Sequence, residues 1–341
     1  MENPYQPRNP KLRWLKALLR GMMSVVGLSC VILRYPKVRE HALMHWLRWH
    51  RVLWPWMRRP WRMRTRDLSA VYLTSRTRWD GPGSQILATM SNICFADFTG
   101  VQYVHTPFQR MSHAPAGMTD EECGRRWERH LQLGEGYPSA ESIQPAKRMV
   151  AHGAAGIRYR SGTLNVVDNC HAFTDRYPSV WGPALDGIKR NRWAPPAPRD
   201  GRPIVVAAHA RRGDVPASET LRYTSDAYLA STLGGVAQVL SDYGLHATLH
   251  VYSEGREEDF AGLRELEVTL HLDGDQIGDW EALRAADVLI VSRSAYSYSA
   301  ALLSDGIILC PRFWHEPLPG WVRVGRDGAY SAENLKGKLL G

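Results

Sequence analysis

From Ile204 to Pro311 the chain alternates short apolar runs with segments of helical period, and this alternation restricts the fold more than any other feature of the sequence. IVVAAH (204–209), ATLHVYS (247–253), VTLHLDG (268–274), DVLIVS (287–292) and IILCP (307–311) read as strands. Runs so uniformly apolar suit strands buried on both faces, as in a parallel sheet covered by helices. The segments between them, Ser225 to Gly244, EEDFAGLREL, WEALRAA (280–286) and YSYSAALLS, supply the helices. Parallel sheets of this kind bind ligands beyond the carboxyl ends of their strands, so the residues that follow each strand are the candidates for chemistry.

The same pattern begins earlier. AVYLT (70–74) reads as a strand, RWDGPGSQ as a Gly-rich turn, SQILATMSNICFADFTG (84–100) as a helix and VQYVHT as a returning strand, which together make a βαβ unit. Between Gln109 and Asp200 the pattern is weaker, with a charged helix from Thr119 to Leu133 and a strand at GTLNVVD. RWAPPAPRDGRP (192–203) can continue neither helix nor strand and marks a domain boundary. The expected architecture is α/β, with Rossmann-like halves at 67–200 and 201–341 behind an N-terminal arm at 1–66.

That arm carries the charge. Residues 1–66 hold 15 Lys and Arg against only Glu2 and Glu40, whereas the whole 341-residue chain has a formal charge of +9, so the remainder is mildly acidic. Six of the 13 tryptophans lie there, interleaved with arginine. Indole beside guanidinium is the composition of a bilayer interface, and it predicts helices that dock on an anionic membrane surface. A helical arm packed on the body is the alternative, and nucleic-acid binding is a weaker third. The apolar run from Gly21 to Leu33 is 13 residues, short for a span, although an N-terminal anchor stays open. Five widely separated cysteines, with no CxxC, fit buried core positions in a reducing, cytoplasmic compartment.

Two strand ends bear chemistry. HARRGD follows the strand at 204–209 and places His209, Arg211, Arg212 and Asp214 together, with Glu219 five residues beyond Asp214. Adjacent arginines offer planar donor forks to a diphosphate; a solvated basic turn paired with Asp214 is the bland alternative. SRSAYSYS follows the strand at 287–292, and its Ser292 and Ser294 open a helix, where hydroxyls and free N–H groups favour anions. Simple N-capping would explain one of these serines. Asp279 starts a helix, either as its cap or as an acceptor for a base such as guanine. Asp273-Gly274-Asp275 has the form of a metal-binding Asp-x-Asp, but Asp-Gly after a strand is more often a turn.

HARRGD, SRSAYSYSAALLS and the GPGSQ turn together resemble the α1,2-/α1,6-/protein-O-fucosyltransferase superfamily, which includes the rhizobial nodulation fucosyltransferases. The resemblance runs from about Ala70 to Pro311 and is strongest after Ile204. It implies a GT-B-like fold, two Rossmann-like domains facing across a cleft, and a metal-independent enzyme without a cofactor that takes GDP-fucose as donor and inverts the sugar's configuration. Arg211 and Arg212 would bind the diphosphate, His209 and Asp214 would shape their loop, and Ser292 and Ser294 would contact the phosphates. Asp279 would read guanine, Gly81 and Gly83 would let the first loop approach the donor, and Glu219, or else Asp214, would be the general base. Val215 and Ala295 depart from the pattern and leave linkage and acceptor, a glycan or lipid-linked glycan, open. The alternatives are a related enzyme with another nucleotide-sugar donor and a non-catalytic module acting through the basic arm.

Overall fold

In the computed structural model the described residues are 68, 70–194 and 201–339. The arm, and the readings attached to it, lie outside them, as do residues 195–200 at the expected domain boundary. The described residues contain two parallel sheets. The first is built from β1 (Val71–Ser75), β2 (Gln102–Tyr103), β3 (Lys147–Ala151) and β4 (Thr163–Val167), in the order β2-β1-β4-β3. Its helices are α1 (Pro82–Thr99), α2 (Asp120–Leu131), the short α3 (His171–Thr174) and α4 (Trp181–Arg192).

The second sheet contains β5 (Ile204–His209), β6 (Ala247–Ser253), β7 (Thr269–Leu272), β8 (Val288–Ile290), β9 (Ile307–Pro311) and β10 (Val322–Val324). Its order is β10-β9-β8-β5-β6-β7, every pair parallel, which is the doubly wound 3-2-1-4-5-6 arrangement read from the other edge. Helices α5 (Asp226–Asp242), α6 (Gln276–Ala285), α7 (Ala295–Leu303) and α8 (Ala332–Leu339) complete this lobe. The core joins Val206 and Ala208 of β5, Val251 of β6 and Ile290 of β8 to Leu229, Leu233 and Val236 of α5. The expected α/β architecture therefore holds, and the order in which strands are added reverses between β5 and β8, the switch point at which such sheets open a crevice.

Four local expectations change. β3 (KRMVA) was not foreseen, because an exposed edge strand that begins with two charges lacks the apolar signature. A strand that the sequence reading did not include follows IILCP: the three-residue VRV pairs beside it. EEDFAGLREL is a 3-10 segment broken at Phe260, whose φ of −115° turns its ring beneath Arg212. Helix α6 begins four residues before the WEALRAA segment, so its cap is Asp275 and Asp279 lies in its first turn.

The lobes meet through α1 and α7. Pro82 starts α1, where its missing N–H costs nothing, and Gly83 follows. A Cβ on Gly83 would lie 2.3 Å from the backbone N of Tyr296, so only glycine lets the start of α1 rest on the start of α7. Farther along the contact Trp127 and Trp280 pack edge to face, at 6.0 Å between centroids. Around them Glu281 accepts from His130 at 2.7 Å, Arg284 at 2.8 Å and Trp193 at 2.9 Å. Burial pushes the Glu281 carboxyl up, but these hydrogen bonds and the Arg284 charge outweigh it and hold it down at about 2.

Gly83→Ala is accordingly expected to lower stability by about 1–3 kcal/mol through forced separation of the two helix starts. Urea unfolding measures it, and an unchanged midpoint would contradict the packing described.

Candidate active site

A cleft of about 650 Å³ opens at the β5/β8 switch point. Its walls come from both lobes: Asp80, Gly81, Pro82, Gly83 and Ser84 on one side, and the ends of β5, β6, β7 and β8 on the other. Its surface divides by charge. Arg211, Arg212, Arg222 and Arg293 gather near β5 and β8, while Glu254, Asp273 and Asp279 follow β6 and β7.

The β5 loop is rigid. Gly213 has φ +70°, and a Cβ there would stand 2.0 Å from Glu254 Oε2, so the glycine of HARRGD is required by both conformation and space. Arg212 is 4% exposed. Its Nε donates to Thr224 O at 3.0 Å, its guanidinium donates to Asp259 O and to Asp226 Oδ1, and it stacks on Phe260 at 3.9 Å from the ring centroid. Arg212 thus ties the loop to the start of α5 while reaching the cleft with one edge. Arg211 is held through its backbone N–H, which donates to Thr224 Oγ1 at 3.0 Å, and through a 2.6 Å pair with Asp214. Its buried Nε has no partner in the protein. It is a donor that the fold itself leaves unsatisfied, in a residue that lines the cleft.

His209 closes the floor. Its Nδ1 lies 2.7 Å from Ser292 Oγ, and Ser292 is bonded in turn to Ser297 at 3.2 Å. Burial, then the charge of Arg211, pushes the imidazole down to about 3, so His209 is neutral at physiological pH. Ser294 caps α7, accepting from the N–H of Tyr296 at 3.3 Å, and lines the cleft. Arg293, between the two serines, donates to Thr220 O at 3.0 Å and also lines it.

On the acidic side burial, then the neighbouring Asp275 charge, raises the Asp279 carboxyl to about 6. Tyr252 stacks flat on His271, at 4.4 Å and 6°, and lines the cleft beside Asp279. The Asp-x-Asp residues have separate work. Asp275 caps α6 through the N–H of Gly278 at 2.9 Å and pairs with Arg126 at 2.7 Å, while Asp273 accepts from Gly255 N at 3.3 Å. Among the described residues no group of three or more His, Cys, Asp or Glu is placed to hold a metal ion, and no helix is long and apolar enough to cross a membrane.

Of the residues expected from sequence, His209, Arg211, Arg212, Asp279, Ser294, Gly81 and Gly83 line one cleft. Ser292 stands behind it, supporting His209 instead of facing a phosphate, and Gly83 serves the meeting of the lobes. Asp214 and Glu219 are not among the lining residues: Asp214 is engaged by Arg211, and Glu219 begins the turn that carries Arg222. Sequence reasoning passed over Asp80, Arg222, Glu254, Arg293 and Trp314, which also line the cleft. Glu254 was within reach, since it directly follows a recognised strand; Arg222 and Trp314 sit in irregular segments without such a cue.

No family model and no curated protein sequence matches the chain. Among solved structures it is similar to a mutant of Arabidopsis thaliana FUT1 in complex with GDP, at 12% identity, with 76% of this chain and 75% of that one covered and a TM-score of 0.39. It is also similar to NodZ alpha-1,6-fucosyltransferase co-crystallized with GDP, at 13%, 76% and 97%, with a TM-score of 0.35; NodZ is from Bradyrhizobium. POFUT1 in complex with GDP is a third, at 11%, 70% and 96%, with a TM-score of 0.36. Likeness of this degree assigns no ligand and no residue's role to this chain.

The raised Asp279 carboxyl has a consequence for stability. Below the ordinary aspartate range the group is protonated whether folded or unfolded and contributes nothing. Between that range and about 6 the unfolded chain ionises while the folded one holds its proton, so stability falls as pH rises, and the loss is complete above the folded value. Asp279→Asn should therefore raise the thermal midpoint at pH 7.5 relative to the parent and leave it unchanged at pH 3.5, near where both forms are neutral. An equal shift at both pH values would mean that the carboxyl is not perturbed.

Proposed function

We propose that the protein is an inverting, metal-independent glycosyltransferase that moves fucose from GDP-fucose to a glycan hydroxyl, as its motifs' resemblance implies. The observation that carries this reading is the meeting of Arg211 and Arg212 from the end of β5 with Arg293 and Ser294 from the end of β8, in a cleft whose opposite wall belongs to the other lobe. A nucleoside diphosphate fits that division of charge. Its phosphates lie toward the arginines and the start of α7, and its ribose hydroxyls and base N–H groups lie toward Glu254, Asp273 and Asp279, which can accept from them.

In the transfer, the bond between the anomeric carbon and the diphosphate oxygen breaks as the acceptor oxygen bonds the opposite face of the same carbon. Negative charge grows on the departing GDP, and Arg211 and Arg293, already oriented, stabilise it in the role that a divalent ion has elsewhere. Arg212 keeps the loop in place through Thr224, Asp226 and Asp259. The acceptor hydroxyl loses a proton on the side away from the diphosphate. Asp80 is the carboxylate that the first lobe contributes to the cleft lining, oriented there by Arg78 at 2.6 Å and by the Gly81 N–H at 2.9 Å, and it takes the proton through its remaining lone pairs in preference to Glu219 or Asp214, which lie outside the lining.

GDP release from GDP-fucose by the full chain, in EDTA and with water as the hydroxyl acceptor, tests the scheme. Arg211→Ala should lower kcat/KM by about 10²–10³. Asp80→Asn should lower kcat by about 10² or more with little change in the donor KM, and Glu219→Gln should have little effect. Normal turnover by Arg211→Ala would refute the site, and a neutral Asp80→Asn beside an inactive Glu219→Gln would move the base to Glu219. The proposed partner of residues 1–66 is an anionic membrane surface, with the enzyme peripherally attached. The full chain should co-sediment with phosphatidylglycerol vesicles at low salt and release as screening rises, whereas equal binding to neutral phosphatidylcholine would contradict an electrostatic contact.

A further inference from the structure

Trp79 is the most exposed large apolar side chain among the described residues, at 65%, and it immediately precedes Asp80 in the cleft wall. Its indole is nevertheless fixed. Nε1–H donates to Asp120 Oδ2 at 2.6 Å, and the guanidinium of Arg110 lies over the ring at 5.8 Å from its centroid. The backbone beside it is pinned as well. Asp80 O accepts from Ser112 N at 3.1 Å and from Gln85 Nε2 at 2.8 Å, and the same Gln85 amide reaches Arg110 O at 2.8 Å. Met111 N bonds Asp120 O at 2.9 Å, closing the frame around the indole. An indole whose edge is satisfied and whose apolar surface still faces water is preorganised for a partner, because little freedom is left to lose on binding.

We infer that Trp79 is the stacking platform for a pyranose ring of the acceptor. This rests on the proposed glycosyl transfer and assigns an acceptor contact to the surface beside the cleft, one residue from the lining Asp80. The surroundings select the class. A pyranose pairs a flat face of C–H groups with a rim of hydroxyls, and Trp79 offers a flat apolar surface beside Asp120, Arg110 and the adjacent Arg78–Asp80 pair, whose remaining donors and lone pairs can hydrogen-bond such a rim. An acyl chain would need a continuous apolar groove, and these neighbours are charged.

The test uses the full chain saturated with GDP and octyl β-glucopyranoside as probe, below its micellar concentration, with tetrasaccharides of β-linked glucose and β-linked N-acetylglucosamine alongside. Saturation-transfer NMR should place the strongest contact on the axial protons of one pyranose face, and calorimetry should give at least one tetrasaccharide with measurable affinity. Trp79→Ala should weaken that affinity about tenfold or more, while Trp79→Phe, which keeps an aromatic face, should retain most of it. GDP affinity should be unchanged in both, and both should stay folded with at most a small fall in thermal midpoint, since each loses the hydrogen bond to Asp120. Contact centred on the octyl chain, no binding of any sugar, or equal sugar binding by Trp79→Ala would each overturn the platform. Failure of the parent chain to bind GDP at all would instead strike at the glycosyltransferase reading, so the two failures are distinguishable.

Discussion

The contact between Gly83 and the backbone of Ala295 and Tyr296 governs the rest of the molecule. It brings the first turn of α1 against the first turn of α7, and each helix follows a strand at the carboxyl side of its own sheet. The two sheets therefore present their reactive ends to one another. Both helix starts, with their partial positive charge, border a single cleft. Neither lobe alone would enclose a ligand: the second supplies the arginines, and the first supplies Asp80 and the glycine turn opposite them.

Within the cleft, chemistry is graded by how deeply each group is held. Ser297 and Ser292 support His209, whose neutral ring lies beneath the arginines without adding charge. Arg212 is consumed largely by protein partners, whereas Arg211 keeps a buried Nε without one. The doublet is thus unequal: one arginine makes the loop and the other lines the cleft with a donor the protein leaves unsatisfied. Gly213 and Glu254 extend the same economy of space, since the glycine gives the carboxylate its room over the loop.

How far the sequence disclosed this follows from what each residue contributes to a linear pattern. Strands β5, β8 and β9 were legible because burial on both faces writes nearly uninterrupted apolar runs, β6 because its apolar residues alternate with polar ones before a buried end, and HARRGD because its residues are consecutive. Edge strands β3 and β10 were not, since one is exposed and charged and the other is three residues long. The site was half visible. His209, Arg211 and Ser294 could be read from their place after strands, but the inward turn of Ser292 and the separation of Glu219 from the cleft are tertiary facts. Asp80 was passed over because no local pattern distinguishes a cleft wall from an ordinary turn; only the approach of the second lobe does so.

The most direct measurement of the central claim is calorimetric titration of the purified full chain with GDP, UDP and dTDP, in EDTA and again with added magnesium. Guanine-selective binding that is indifferent to EDTA and weakened in Arg211→Ala is the result the site predicts. Binding that needs the metal, or that favours uridine or thymidine, would contradict it.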